Sequence, residues 1–598
     1  MADAAAAVVG AAEGDVPPRW HLANACGPRW TSGSTCAFRV WAPHGEAVAV
    51  QVQDGDGERE VPMTRQGDFW EVETNATPGM RYRIAMGSSW NDCFQQEGAR
   101  LFRRDPCARE ADFESTWCIL HPPVRPMPAF HAPKFNELVI YELHLGTWVP
   151  CDKEASAFSW AAGKMEYIAS LGFNCIQFMP TAEFGGIWGY NSRQLLSAHV
   201  PWGSAADMRK LVEKAHELGL AVLFDLVLNH GSSKKNTLWN WDGFGPNNCG
   251  GIYFEGEKDT PWGKRFAFHK AEVQDYLKQA CRVWIEEYGV DGLRFDSVHN
   301  MPWWLLQQMT HDIKHHYPDK ILIAEITPEN PAVINDAGFH SCWIHATHFD
   351  SVKIMKKFDG GDDPGKRIGM LKNMVAPHGF PNIGGVHSLL GSHDQIGDRH
   401  DGKDEGGKHR YYISRLGGRG NWHGRAQCRA LFGFQNCCRG LPMTFMGTET
   451  LQENWWHLDE HHRFNWGLAE GEDVHAVEMR RFVTASNKLR TSAAGMIEDD
   501  TRFVHEDGGS SVFAFLRGSE PQKACLCILH LGEAQWDNCG YAICTGWGGG
   551  TVWKLALNSQ SGEFGGWDGS GTPESTADGG GKIHINIPKW SLLVYRPV

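Results

Sequence analysis

The sequence has no apolar run near the roughly 20 residues that a membrane-spanning helix needs, which excludes a helical span. It has no pair of CxxC motifs, so a zinc ribbon is excluded as well. Positive charge is in the minority. The chain holds 57 Lys and Arg against 71 Asp and Glu, a formal net charge of -14, and would repel nucleic acid. The N-terminus, MADAAAAVVGAAEGDVPP, lacks a basic n-region and has only a brief apolar stretch. It reads as a flexible tail over residues 1–19 rather than a signal peptide. The 17 cysteines are odd in number and scattered, as expected for reduced thiols in an intracellular setting, cytoplasmic or plastid. These absences leave a globular protein whose partners are neither membranes nor polyanions.

Tryptophan, by contrast, is abundant at 26. Many of these must be core fillers, and the rest suit stacking on the apolar C–H faces of sugar rings. Residues 20–125 carry short alternating segments, CAFRVWAP, AVAVQVQ, FWEVET and RYRIAM, separated by GDGE, RQGD and TPGM. That pattern predicts an N-terminal β-sandwich. A proline-rich stretch, HPPVRPMPAFHAP, reads as a stiff linker. Over residues 126–494 the grammar becomes α/β. Apolar strands LVIYELHLG, NCIQFMP, AVLFDLVLNH, GLRFDSV, ILIAEI, CWIHATHF, GVHSLL and LPMTFMG alternate in several places with amphipathic helices such as MRKLVEKAHELGL. Parallel strands covered on both sides, about eight of them, predict a (β/α)8 TIM barrel. Residues 495–598 are strand-like and glycine-rich and predict a C-terminal all-β domain, with GWGGGTVW and DGSGTPESTADGGG as loops.

Four acids stand at the ends of these strands: Asp225 in FDLVLNH, Asp296 in GLRFDSVHN, Glu325 in ILIAEI and Asp394 in LLGSHD. Catalytic groups of a TIM barrel sit at the C-terminal strand ends, so the four are expected on one rim. Carboxylates poised about a bond suit cleavage of a glycosidic linkage. Asp296 is the candidate nucleophile, kept ionised by Arg294 two residues earlier on the same strand face. Glu325, ending an apolar strand, is the candidate general acid, because an apolar setting raises a carboxyl pKa. Asp394, beside His393, could hold substrate hydroxyls and stabilise positive charge. Asp225, with Asn229 and His230, could organise the floor.

These segments resemble the four signature regions of the α-amylase superfamily of retaining glycoside hydrolases and transglycosylases. The resemblance implies that Asp296 is the nucleophile, Glu325 the acid/base and Asp394 the clamp on the sugar at the cleavage subsite. It also implies that Tyr190, in WGYN, stacks under that sugar, with Asp225, Asn229, His230, Arg294 and His393 completing the substrate site. FRVWAP, DFWEV, YELHLGTW, FMPTAEF, FMGTET and IPKWSLLVYRP are most similar to 1,4-α-glucan branching enzymes. The implied partner is an α-glucan polysaccharide (glycogen, starch or amylose), bound by a monomer with no cofactor and no metal. The implied mechanism is double displacement, with the carboxyls of Asp296 and Glu325 roughly 5–5.5 Å apart. Trp239, Trp241, Tyr253 and Trp262 are candidates for stacking an acceptor chain. Three positions depart from branching enzymes: Gln395 where they usually carry Glu, His299 after the nucleophile, and Ile326 where they carry an acid. Gln395 and His299 are more like maltooligosyl-trehalose trehalohydrolases. An α-glucan hydrolase, of trehalohydrolase or α-amylase type, therefore stands as the alternative, and a non-catalytic glucan-binding scaffold as the third reading.

Overall fold

The computed structural model describes residues 20–54, 57–90, 100–381, 384–398, 409–567 and 571–598. The tail expected over 1–19 lies outside these residues. Residues 27–119 form two antiparallel sheets, one built on Thr35–Trp41 and Phe69–Asn75, the other on Gly45–Asp54 and Arg81–Ser88. Their alternation puts Phe38, Val40, Val50, Val52, Tyr82 and Ile84 into the space between them, all buried.

The barrel is closed and parallel. Its strands are β1 (Ile140–Leu143), β2 (Cys175–Phe178), β3 (Ala221–Leu226), β4 (Gly292–Phe295), β5 (Ile321–Ala324), β6 (Ser341–Ile344), β7 (Gly385–His387) and β8 (Leu441–Phe445), with β8 paired back to β1. The expected eight-stranded architecture is the observed one. Amphipathic helices cover it, among them α1 (Ala205–Glu217), which Ser204 starts with a reciprocal capping box to Asp207. Gly219, at φ +76°, ends that turn in the left-handed region that glycine enters at least cost.

Side chains alternate in and out along each strand. The lower inward positions, Ile140, Cys175, Ala221, Leu223, Ile321, Ile323, Val386, Leu441 and Met443, form one apolar plug inside the barrel. The next inward positions toward the C-terminal rim are Glu142, Asp225, Arg294 and, just past β5, Glu325. The period of two thus stacks a charged layer directly on a dry one.

The C-terminal region is a six-stranded antiparallel sheet with a separate two-stranded ribbon of Trp536–Cys544 and Lys582–Ile587. Two segments expected to be loops contribute strand: Val552–Asn558 begins within GWGGGTVW, and Glu574–Thr576 lies in the glycine-rich run. Val552–Asn558 pairs on both sides and Glu574–Thr576 closes the edge beside it, and that pairing overrides their weak local propensity.

Two sequence readings change. The proline-rich stretch is mostly exposed but pinned at Met127 and Phe130, the latter stacked on His216 at 4.0 Å between ring centroids. Trp241 and Tyr253 are also not open platforms. Trp241 is fully buried with its indole N–H on the Arg104 carbonyl at 2.8 Å, and Tyr253 packs edge-on against Trp41 of the sandwich. They join the sandwich to the barrel. Trp239 is partly buried against the same core, and only Trp262 is exposed, at 39%. Trp241→Ala should therefore cost roughly 3–5 kcal/mol, the usual range for a large buried aromatic, in urea unfolding followed by tryptophan fluorescence. A loss below about 1 kcal/mol would show that the indole does not hold the two parts together.

Candidate active site

Arg294 is the centre of the site. It is 1% exposed, and its guanidinium meets three carboxylates: Asp225 (2.7 Å to each oxygen), Asp296 (3.0 Å) and Glu325 (3.0 Å). A buried cation needs such partners, because desolvation alone would cost several kcal/mol. Trp343 closes the other side, its ring centroid 4.3 Å from the guanidinium carbon. The arrangement follows from the barrel register, which places Asp225 on β3 beside Arg294 on β4.

The nine residues singled out in the sequence converge here, in two tiers. Asp225, Asn229, His230, Arg294 and His393 are each at most 2% exposed. The carboxyls of Asp296, Glu325 and Asp394 keep 13%, 13% and 16% of their side-chain surface, so these three face the cavity. Below them, the Tyr190 hydroxyl donates to Asp225 at 2.8 Å and its ring stacks on His393 at 5.2 Å. Asn229 donates its amide to both the carbonyl and the carboxylate of Asp296 (2.9 and 3.1 Å), while its oxygen meets the His230 ring at 2.5 Å. With its polar atoms so committed, Asn229 acts here as a brace on Asp296. Burial pushes the His230 imidazole down to about 4, so it is neutral at pH 7.

Past β4 the chain turns at Ser297, whose φ of +48° is left-handed and strained for a side-chain-bearing residue. The turn aims the Ser297 N–H at Glu325 Oε2, 2.9 Å away.

The sequence reading missed three groups. Glu142, on the inward face of β1, binds His393 twice, at the ring (2.6 Å) and at the backbone N–H (3.1 Å). A lone acid inside VIYELHLG was the signal. His345, just past β6, has its Nε2 3.6 Å from Glu325 Oε1. Trp343, two residues earlier on the same inward face, completes the wall. Among the described residues, Glu325, His345 and Asp394 place ligand-type atoms within 4.8 Å of one another. Glu325 is already paired with Arg294 and Ser297, so this trio reads as the wall of the cavity.

Electrostatics correct one expectation. Glu325 does not sit in an apolar setting. Burial would raise its pKa, but Arg294, His345 and the Ser297 N–H outweigh that and hold it well below the usual carboxylate range. For Asp296, burial outweighs Arg294, and with the charges of Glu325 and Asp225 pushes it up to about 8. One guanidinium serves both acids, and the proton they compete for is held more tightly on the Asp296 side.

An acid bound more tightly by its proton in the folded chain makes the fold less stable as pH rises from its unfolded value of 3.8 toward about 8. Asp296→Asn removes that penalty. Its melting temperature should gain on the wild type progressively from pH 5 to pH 8, and a constant difference across that window would contradict the proton placement.

Residues 25–108 match carbohydrate-binding module 48 (isoamylase N-terminal domain), 161–242 the α-amylase catalytic domain, and 503–598 the α-amylase C-terminal all-β domain. A malto-oligosyltrehalose trehalohydrolase of Saccharolobus solfataricus is 32% identical over 335 residues, 52% of this chain and 54% of that protein. This chain thus aligns with about half of its length. The 1,4-α-glucan branching enzyme GlgB of Corynebacterium efficiens is 26% identical over 589 residues, 88% of this chain and 75% of that one. A pullulanase crystal structure from Anoxybacillus, complexed with maltotetraose, superposes with a TM-score of 0.72 at 16% identity, covering 97% of this chain and 88% of that chain. At that identity the likeness is one of fold.

Proposed function

Because the chain belongs to the α-amylase family of glucan-active enzymes, we propose that it is a 1,4-α-glucan branching enzyme, cleaving α-1,4 bonds with retention and passing the chain to a 6-hydroxyl. The observation that carries the chemistry is the single guanidinium of Arg294 shared by Asp296 and Glu325. One guanidinium spanning both acids suits the short separation of roughly 5–5.5 Å used by retaining enzymes. The extent of the relation to GlgB proteins supports the branching outcome, since these relatives align along 88–94% of this chain.

In this reading Tyr190 lies under the sugar at the cleavage point and Asp394 grips its hydroxyls. Positive charge building at the anomeric carbon beside Asp296 favours that carboxylate ionised, which leaves the pair's proton to Glu325. Glu325 gives it to the glycosidic oxygen as that bond breaks, and an Asp296 oxygen bonds to the anomeric carbon. The acceptor 6-hydroxyl then gives its proton to the Glu325 carboxylate, its oxygen bonds to the anomeric carbon, and the bond to Asp296 breaks. Water in place of the acceptor gives hydrolysis with the same residues. Gln395 and His299, together with 32% identity to a trehalohydrolase, favour that second reading. A non-catalytic scaffold is the weakest reading, since all three cavity-facing acids are in place.

Incubation with amylose separates these readings. Branching lowers iodine staining and creates α-1,6 links without new reducing ends. New reducing ends mean amylase-type hydrolysis, and trehalose release from a maltooligosyl-trehalose means the trehalohydrolase. Inertness on every substrate would return the scaffold. Asp296→Asn should lower turnover by at least about 10³-fold while glucan binding persists. Near-normal turnover in that variant removes the nucleophile assignment. Trp262, exposed at the rim with its ring 5.9 Å from that of His230, is the remaining stacking candidate. Trp262→Ala should raise KM for amylose several-fold with little change in kcat, as expected when roughly 1 kcal/mol of stacking contact is lost.

A further inference from the structure

Gln395 and His345 form a linked pair whose orientation can be worked out from fixed donors. The Ser392 backbone N–H lies 2.9 Å from Gln395 Oε1, and the Ser392 hydroxyl lies 2.8 Å from the same atom. A backbone N–H can only donate, so the carbonyl end of the Gln395 amide must face Ser392. Its NH2 end therefore points at His345 Nδ1, 3.2 Å away. An amide NH2 can only donate, so Nδ1 must accept and the ring's proton is on Nε2. That Nε2–H is buried and has no hydrogen-bond partner among the described residues. It faces Glu325 Oε1 at 3.6 Å, short of a good hydrogen bond.

We propose that His345, locked by Gln395 as its Nε2–H tautomer, is a positioning residue for Glu325 that holds the ionised acid/base once it has given up its proton. This rests on Glu325 being the acid/base. An Nε2–H donor stabilises a carboxylate oxygen but offers less to a carboxylic acid, so it acts at the stage where Glu325 waits to deprotonate the acceptor. The groups facing His345 pull in opposite directions. The carboxylates of Glu325, Asp394 and Glu329 draw a second proton onto the ring and outweigh its burial, so the ring's pKa is raised. Against that pull stands the Gln395 NH2, 3.2 Å from Nδ1, where the second proton would have to sit. Arg294 lies beyond Glu325. Gln395 thus keeps His345 a neutral donor rather than an imidazolium next to a group that must also carry a proton.

The test is the pH profile of kcat/KM on amylose with the full chain, whose alkaline limb reports loss of the proton from the Asp296–Glu325 pair. His345→Leu removes a donor to ionised Glu325, so the limb should move up by about one pH unit. Gln395→Glu presents a carboxylate to Nδ1, favours the imidazolium and should move the limb down by about the same amount. His345→Gln keeps an amide donor and should return the limb toward the wild-type position, which simple repair of packing would not do. Circular dichroism melts establish that each variant is folded. If the limb stays at the wild-type pH in both His345→Leu and Gln395→Glu, the proposal is overturned, whatever happens to kcat. Glu325→Gln separates the two levels. Wild-type activity in that variant would sink the acid/base reading itself, whereas its inactivity with unmoved limbs would sink the role of His345 alone.

Discussion

A guanidinium sealed inside a barrel is the constraint on which this site depends. Arg294 lies where water cannot solvate it, directly above an apolar plug, so its charge must be met by protein groups. Asp225 meets it from β3 with both oxygens and is itself buried, which makes it a counter-charge beneath the site rather than a surface for sugar. Asp296 and Glu325 meet it from the cavity side. Removing the cation would leave three carboxylates facing one another at low dielectric, so the burial of Arg294 and the presence of the acids are one arrangement.

A second network reaches the same cavity from the opposite wall. Glu142 on β1 fixes His393 by ring and backbone, and His393 stacks on Tyr190, whose hydroxyl returns to Asp225. Ser392 orients Gln395, and Gln395 orients His345 toward Glu325. The two networks touch at Asp225 and at Glu325. The acids are therefore held by groups that are themselves fixed from behind by other hydrogen bonds or by stacking, which holds the geometry of the site.

The aromatic content served packing more than display. Trp241 and Tyr253 are indistinguishable in sequence from Trp262 as stacking candidates, yet they and Trp343 are buried and join layers, while Trp262 stays at the rim. An indole's exposure depends on which surface the chain folds against it. Here the sandwich covers Trp241 and Tyr253, and the barrel interior takes Trp343.

The sequence by itself determined the barrel, because strand and helix periodicities are local and repeat. It also determined the inward residues at the rim, because the period of two carries Asp225, Arg294 and Glu325 to the same side as the apolar plug. Only the tertiary structure decided how those charges are partnered. Glu325 ends an apolar strand and would read as a raised acid, but the guanidinium from β4, the imidazole after β6 and the strained Ser297 turn converge on it from elsewhere in the chain and reverse the expectation. Glu142 and His345 escaped notice for the same reason: one acid in a strand and one histidine after another have no meaning until strands far apart in sequence close into a ring. Proton affinity depends on neighbours in space, and a one-dimensional pattern does not contain them.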